Sequence, residues 1–327
     1  MEKASCWVVT EGYIGLENQA LGVAEGLGLA PILKTVAARQ PWRSLPPRLW
    51  VDRVGFRALA GELAPPWPDV VVSCGGQAAL AAYLIRRDSG GRTFTIHVQK
   101  PALPAREFDV LVVPKHDGLT GPNVIVTEGA VHRVTRAKLA EAAERFAARY
   151  AHLPNPRVAV LIGGSNNRYR LTAERMRVLA GQLAALAKGG AGLMVTPSRR
   201  TEPEAARILA EALAGLSADI WDGAGENPYF GLLGVADAIL VTRDSVSMTS
   251  EAAFTGKPVH VIDLDGSSRR IERFHAHMQQ QGYTRRFNGK LESWTYTPPD
   301  DTAMAAARIK PLLEARIQGA RIELPAR

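Results

Sequence analysis

Residues 236–264 read ADAILVTRDSVSMTSEAAFTGKPVHVIDL, and this stretch decides the fold. Residues 237–242 form a short apolar run ending in polar side chains, the pattern of a buried parallel strand. Apolar residues then recur at helical spacing over 248–254. Gly256 and Pro258 stop the helix, and 259–264 returns as the next strand. Between the first strand and the helix, the loop around Asp244, Ser245, Ser247 and Met248 offers small hydroxyls and unpaired backbone N–H groups at a helix N-terminus. An anion is favoured there. Glu251 lies one to two turns further on, too far for a phosphate at the loop but within reach of a sugar hydroxyl beyond it. That is the layout of a nucleotide site; the alternative is an ordinary βαβ crossover with a serine cap.

A chain of 327 residues is long for one core and suits two α/β domains. With 46% hydrophobic and 22% charged residues it reads as globular and soluble. No apolar run approaches bilayer length, and the start, MEKASCWVVTEG, lacks the features of a signal peptide, so a cytoplasmic location is expected. Cys6 and Cys74 fall in or beside strand-like segments and read as reduced core thiols. A formal charge of +8 attracts polyphosphates, anionic lipid or nucleic acid. Without zinc-finger spacing, an RNP motif or a basic-aromatic block, nucleic acid is the weakest of these partners.

In chain order, 6–10 reads as a strand followed by a glycine loop, with Glu11, Gly12 and Gly15, and a helix over 17–27 whose start holds Asn18 and Gln19. The glycines do not match GxGxxG, so no dinucleotide fingerprint is present. Residues 41–50, PWRSLPPRLW, combine prolines, tryptophans and arginines without a period: a packed surface loop, or one that meets a membrane interface. Residues 69–73 form another strand, followed by Gly75, Gly76 and Gln77, a helix to Arg87 and a strand over 93–98 leading to Gln99. The same order occurs in 237–262, so the chain holds two similar halves. Strands over 108–113 and 124–127 end near His116 and Asp117, and at Glu128. A helix over 138–150 precedes the linker 152–156, HLPNP, which places domains at 1–152 and 153–300. A last helix over 303–318, kinked at Pro311, is expected to pack back on the first domain.

Four strand ends of the second half carry polar or glycine-rich tips. They hold Gly163, Gly164, Ser165, Asn166 and Arg168; Ser198, Arg199 and Arg200; Asn227, Pro228 and Tyr229; and the 244–248 loop. On neighbouring strands they form one site. Arg199 and Arg200 can fork onto phosphate oxygens at roughly 1.5–3 kcal/mol per charged hydrogen bond; a solvated basic turn is the alternative. The glycines permit close backbone approach, and Asn227 to Tyr229 can present backbone groups and a ring to a base.

The TRDSVSMTSEAAFTGKPV run resembles the donor-site motif of GT-B glycosyltransferases, in which two Rossmann-like domains face each other across a cleft. The chain is similar in particular to the mitochondrial fission ELM-type family. The likeness is carried by the 15–19 loop, HDG at 116, GPNVIVTEGA at 121, GGSNN at 163, TPSRRT at 196, ENPY at 226 and DSVSM at 244. One departure stands out: that family's first loop commonly reads Gly-His-x-Asn-Gln, and Leu16 occupies the histidine position.

The resemblance implies an α/β protein that moves a sugar from a nucleotide diphosphate, UDP- or GDP-linked, to an unidentified, lipid-linked or envelope-related acceptor at the inner face of a membrane. No metal or other cofactor is expected. The DxD pattern at Asp263 and Asp265 reads as incidental. His116 with Asp117 is the first choice of catalytic base, with Glu11 and Glu128 as further candidates. Gly12, Gly15, Asn18, Gln19, Gly75, Gly76, Gln77 and Gln99 line the acceptor side. Two other activities remain open: a nucleotide-sugar 2-epimerase, and an interaction protein that has lost catalysis.

Overall fold

The computed structural model describes residues 4–319. They divide into two compact units: the chain up to Arg133 together with that from Asp300 onward, and Val134–Pro299.

The first unit begins with strand β1 (Cys6–Thr10), helix α1 (Ile14–Gly26) and strand β2 (Pro31–Thr35). It continues with β3 (Val70–Cys74), α2 (Gly76–Asp88), β4 (Phe94–Val98), β5 (Val110–Pro114) and β6 (Val124–Thr127). All six strands run parallel in the order β2-β1-β3-β4-β5-β6. Strands β1, β3, β4 and β5 are buried along their whole length; β1, β3 and β5 accordingly read as near-continuous apolar runs, whereas β4 alternates, with Thr95 and His97 buried between Phe94, Ile96 and Val98. Val8, Val70 and Val72 pack on α1; Val9, Val71 and Trp7 pack on α2. Strand β2 escaped the sequence reading because it is an edge strand: Ile32 and Leu33 stay exposed, and its proline is the first residue, where no ladder bond is lost.

The second unit runs α3 (Arg136–Tyr150), β7 (Arg157–Ile162), α4 (Ala173–Lys188), β8 (Gly192–Pro197), α5 (Pro203–Leu213) and β9 (Ala218–Ile220). It then adds α6 (Tyr229–Val235), β10 (Ala238–Thr242), α7 (Val246–Phe254), β11 (Val259–Ile262), α8 (Arg269–Gln280) and β12 (Thr284–Arg286). The order is β9-β8-β7-β10-β11-β12, again parallel, the doubly wound Rossmann pattern. Thr172 caps α4 through the amide of Arg175, as its position before the helix suggests. Helix α8 and strand β12 were not anticipated. The helix is strongly amphipathic: it buries Phe274, His275 and Met278, with its charges on the outer face.

The division between the units falls at Arg133, not at the 152–156 linker. The cause is α3, which lies on α6 without room for side chains between them. A Cβ on Gly231 would meet the Phe146 ring at 2.6 Å, and one on Gly234 would meet the Leu139 carbonyl oxygen at 2.6 Å. The last helix, α9 (Asp301–Ile317), belongs to the first unit, with Ala305, Ala306, Ile309 and Leu313 in the same core as α1. Pro311 sits within its unbroken span. The Asp301 carboxylate ties its start to the end of β6, accepting from the Glu128 amide at 2.9 Å and the Gly129 amide at 2.7 Å.

Candidate functional site

In a doubly wound sheet, ligands bind beyond the carboxyl ends of the strands where the strand order reverses. In the second unit that point lies between β7 and β10, so the Gly163-Gly164 tip and the 243–245 tip flank it. The four polar tips recognised in the sequence follow β9, β8, β7 and β10, four consecutive strands.

Three of these tips are joined by a hydrogen-bonded network. The Gly163 amide donates to Thr242 Oγ1 at 2.7 Å, and the Gly163 carbonyl accepts from both Ser198 Oγ and Thr201 Oγ1 at 2.6 Å. Arg200 Nη2 meets Asp244 Oδ2 at 2.6 Å, and the Asp244 side chain is wholly buried. Gly163 and Gly164 are required by space: a Cβ would fall 2.3 Å from Asp244 Oδ1 in the first case and 2.0 Å from the Arg200 carbonyl oxygen in the second. Arg199, next to Arg200, is exposed. Ser165 and Asn166 build the loop itself, Ser165 Oγ accepting from the Leu171 amide and Asn166 Oδ1 from the amides of Arg168 and Tyr169. Arg168 is exposed.

Ser245 is the N-cap of α7, its Oγ accepting from the Met248 amide at 3.2 Å. This satisfies one of the helix's first N–H groups, at the end where the helix dipole favours an anion. Ser247 and Met248 are half-buried in the first turn. Further along α7, Glu251 is buried and receives the Tyr229 hydroxyl. Burial pushes the Glu251 carboxyl up to about 7, against the lowering effect of the Tyr229 hydrogen bond. Burial, and then the neighbouring Glu251, raise the Tyr229 phenol well above its ordinary range. Asn227 Oδ1 accepts from the Tyr229 amide at 3.0 Å, and Pro228 is buried at the start of α6.

Sequence reasoning missed the residues that hold this framework. Thr201 and Thr242 are ordinary hydroxyl residues at strand ends. Arg243 Nη1 binds Asp263 at 2.7 Å, while its carbonyl accepts from His275 Nε2 at 2.8 Å. Burial pushes His275 down to about 4, which keeps the ring neutral. The Asp263 and Asp265 carboxylates are engaged by different arginines: Asp263 by Arg243 and Arg286, Asp265 by Arg175.

The first unit reverses its strand order between β1 and β3. Glu11 Oε1 bridges that point, accepting from the Gln77 amide at 2.8 Å. Gly75 adopts φ +109°, and a Cβ there would lie 2.6 Å from Glu11 Oε1. Gln99, the one non-glycine with positive φ (82°) among the described residues, donates through Nε2 to Gln19 Oε1 at 3.1 Å. Such strain persists only where surrounding structure over-determines it, and it clusters at functional sites. Gly12 and Gly15 are exposed, Asn18 is half-buried, and Gly76 opens α2. Of the four candidate bases, His116 and Asp117 turn inward, with side chains 0% and 3% exposed, and His116 Nε2 lies 3.6 Å from Asp117 Oδ1. Glu128 is 37% exposed, and Lys115 Nζ lies 3.9 Å away.

The mitochondrial fission ELM1 family model matches residues 14–313. A mitochondrial fission protein ELM1 from Arabidopsis thaliana is 33% identical over 276 residues, covering 76% of this chain and 65% of the plant protein. The chain thus spans about two thirds of that relative's length. An uncharacterised protein of Rickettsia prowazekii is 26% identical, with 74% of this chain and 79% of that protein covered.

Among solved structures, the UDP-GlcNAc 2-epimerase of Methanocaldococcus jannaschii superposes with a TM-score of 0.58 at 14% identity, covering 94% and 99% of the two chains. That of Neisseria meningitidis bound to UDP-GlcNAc gives 0.52 at 14%, covering 98% and 95%. MurG of Acinetobacter baumannii gives 0.50 at 15%, covering 98% and 96%. At these identities the likeness establishes the fold alone: two Rossmann-like domains of the GT-B type. The chain belongs to the mitochondrial fission ELM1 family.

Proposed function

We propose that the protein is a GT-B glycosyltransferase that takes a nucleotide-diphosphate sugar, UDP- or GDP-linked, as donor. The observation that carries this reading is the Gly163, Arg200 and Asp244 cluster, which sits at the strand-order reversal of the second unit beside the α7 N-terminus. There the backbone N–H groups, the helix dipole and Arg200 would hold the diphosphate, and Glu251 with Tyr229 would take the ribose. Departing negative charge is stabilised by fixed dipoles and a guanidinium, so transfer proceeds without a divalent metal. Proton abstraction from the acceptor falls to Glu128 or Glu11, the half-exposed carboxylates among the candidates. Thermal melts with UDP-, GDP-, ADP- and CMP-sugars test the donor claim. A shift with one base that is lost in Arg200→Ala supports it, and no shift with any of them refutes it.

A second activity, 2-epimerisation of a nucleotide sugar, draws on the same loops and on the carboxylates at the strand ends of the first unit. Product analysis with a UDP-sugar alone separates the two, since an epimerase needs no acceptor. If neither turnover nor nucleotide binding occurs, the protein acts as a non-catalytic interaction partner on this fold.

The 39–57 loop supports contact with an anionic membrane face, and with it a lipid-linked acceptor. Leu45 and Leu49 are 41% and 61% exposed, and Arg39, Arg43, Arg48, Arg53 and Arg57 around them are all exposed. Trp42 and Trp50, with ring centroids 5.9 Å apart, support this loop. No helix among the described residues is long and apolar enough to cross a membrane. Sedimentation with phosphatidylglycerol vesicles should carry the protein down, and Leu49→Asp should release it; equal behaviour with neutral vesicles would contradict the charge argument.

A further inference from the structure

We propose that the second unit carries a separate oligosaccharide-binding groove along its edge strand β12. The groove has a volume of about 870 Å³ and runs from the end of α8 along β12 to the extended segment 292–297. That size lies within the roughly 300–1,000 Å³ of small-molecule sites. None of its lining residues belongs to the four polar tips at the strand ends.

The lining chemistry selects the ligand. Of the 12 lining residues, three are aromatic and the rest are Gln, Thr, Arg, Glu and Gly, with no aliphatic side chain among them. An acyl chain would find no aliphatic wall. An anion would find Arg285 already paired with Glu292, and Arg286 with Asp263. A carbohydrate matches both halves of the lining, because it presents apolar C–H faces to rings and hydroxyls to amides and carboxylates.

The aromatic platform is held before any ligand arrives. Trp294 Nε1 donates to the Gly282 carbonyl at 2.9 Å, the Arg285 guanidinium lies 4.5 Å from the indole centroid, and His260 meets the ring edge-on. The Tyr296 hydroxyl is turned inward, 2.7 Å from the Lys257 carbonyl oxygen. The ring of Tyr283 sits 5.7 Å from that of Tyr296. With the polar ends of Trp294 and Tyr296 occupied, these two rings offer surfaces rather than hydrogen bonds, while exposed Gln279 and Gln281 supply the donors and acceptors. Fixing the rings in advance lowers the ordering cost of binding.

The test is titration of the full chain with N-acetylchitotriose, cellotriose and maltotriose, read by tryptophan emission and calorimetry, with inorganic phosphate and UDP as comparison ligands. At least one trisaccharide should bind saturably with Kd below about 10 mM. Trp294→Ala should weaken it about tenfold or more, and Gln281→Ala, a surface change that spares the fold, by about threefold. Saturating UDP should leave that binding unchanged. The proposal is overturned by no saturable binding of any of the three, by wild-type affinity in both variants, or by displacement with UDP, which would put the sugar in the strand-end loops instead.

Discussion

Arg200 reaches across from the tip of β8 to bind Asp244 at the tip of β10, Nη2 to Oδ2 at 2.6 Å, with β7 lying between the two strands. The carboxylate is buried and the guanidinium half-exposed, so one face of Arg200 remains available to a ligand. Replacing Arg200 by Ala leaves a buried carboxylate without its partner, which should cost about 1–3 kcal/mol of stability. Binding of a nucleotide diphosphate should weaken at the same time. Arg200→Lys should restore much of the stability but less of the binding, because an ammonium lacks the fork. Thermal melts and calorimetry on both variants check this; equal binding in wild type and Arg200→Ala would remove Arg200 from the site.

Gly163→Ala and Gly164→Ala should each destabilise by about 1–3 kcal/mol, since the new methyl meets a carboxylate oxygen in one case and backbone in the other. Gly181→Ala is the control. It lies inside α4 with nothing within 4 Å of its Cβ position, so it should stabilise by about 0.5–1 kcal/mol. Urea denaturation of the three variants measures the contrast.

Glu251 should give the protein a stability that falls as pH rises. Its folded-state pKa, about 7, exceeds the ordinary 4.5, so between these values the folded chain holds a proton that the unfolded chain has released. The contribution is complete below pH 4.5 and gone above 7. It amounts to about 3 kcal/mol at most, one pKa unit being worth about 1.4. Glu251→Gln should flatten the slope across this window and be the more stable protein at pH 8. An unchanged slope in denaturant melts from pH 5 to 8 would show that another group titrates.

Asp301→Asn should loosen the attachment of α9 to the end of β6. The amide can accept from one of the Glu128 and Gly129 N–H groups but not from both, and an orphaned buried donor costs about 1–3 kcal/mol. Hydrogen exchange should speed up at Gly129 and along the first turn of α9 more than at Val8 in the sheet. Burial raises the Asp301 carboxyl to about 6, against the pull of the two N–H donors, so this group too adds stability below its ordinary 3.8 that is lost by pH 6.

Nucleotide binding should be the same in EDTA and in millimolar Mn²⁺. Asp263 and Asp265 are each engaged by arginine, and moving them onto one metal ion would break both pairings. Calorimetric titration under the two conditions decides it. A Mn²⁺-dependent gain that disappears in Asp263→Ala would restore the DxD reading.

The sequence by itself determined the layered α/β architecture and the placement of polar tips at strand ends. A strand buried on both faces is largely apolar, as in 238–242 and 70–74, where only Thr242 and Ser73 are polar, and the residue types that follow it are those a ligand-facing loop tolerates. Edge strands β2 and β12 were illegible, because partial burial leaves no clean period, whereas the helical spacing of Ile271, Phe274 and Met278 in α8 was legible and went unread among its charges. The unit boundary was decided by tertiary structure: proline and asparagine mark a turn at 152–156, but Gly231 and Gly234 admit α3 against α6 and carry it into the second unit. The same holds within the site. Asp244, Arg200 and Gly163 lie in three separate segments, and only the strand order β8-β7-β10 makes them neighbours. His116 shows the converse: its residue type suggests a base, yet whether a histidine meets substrate or core depends on which way the chain turns after β5, and here it turns inward.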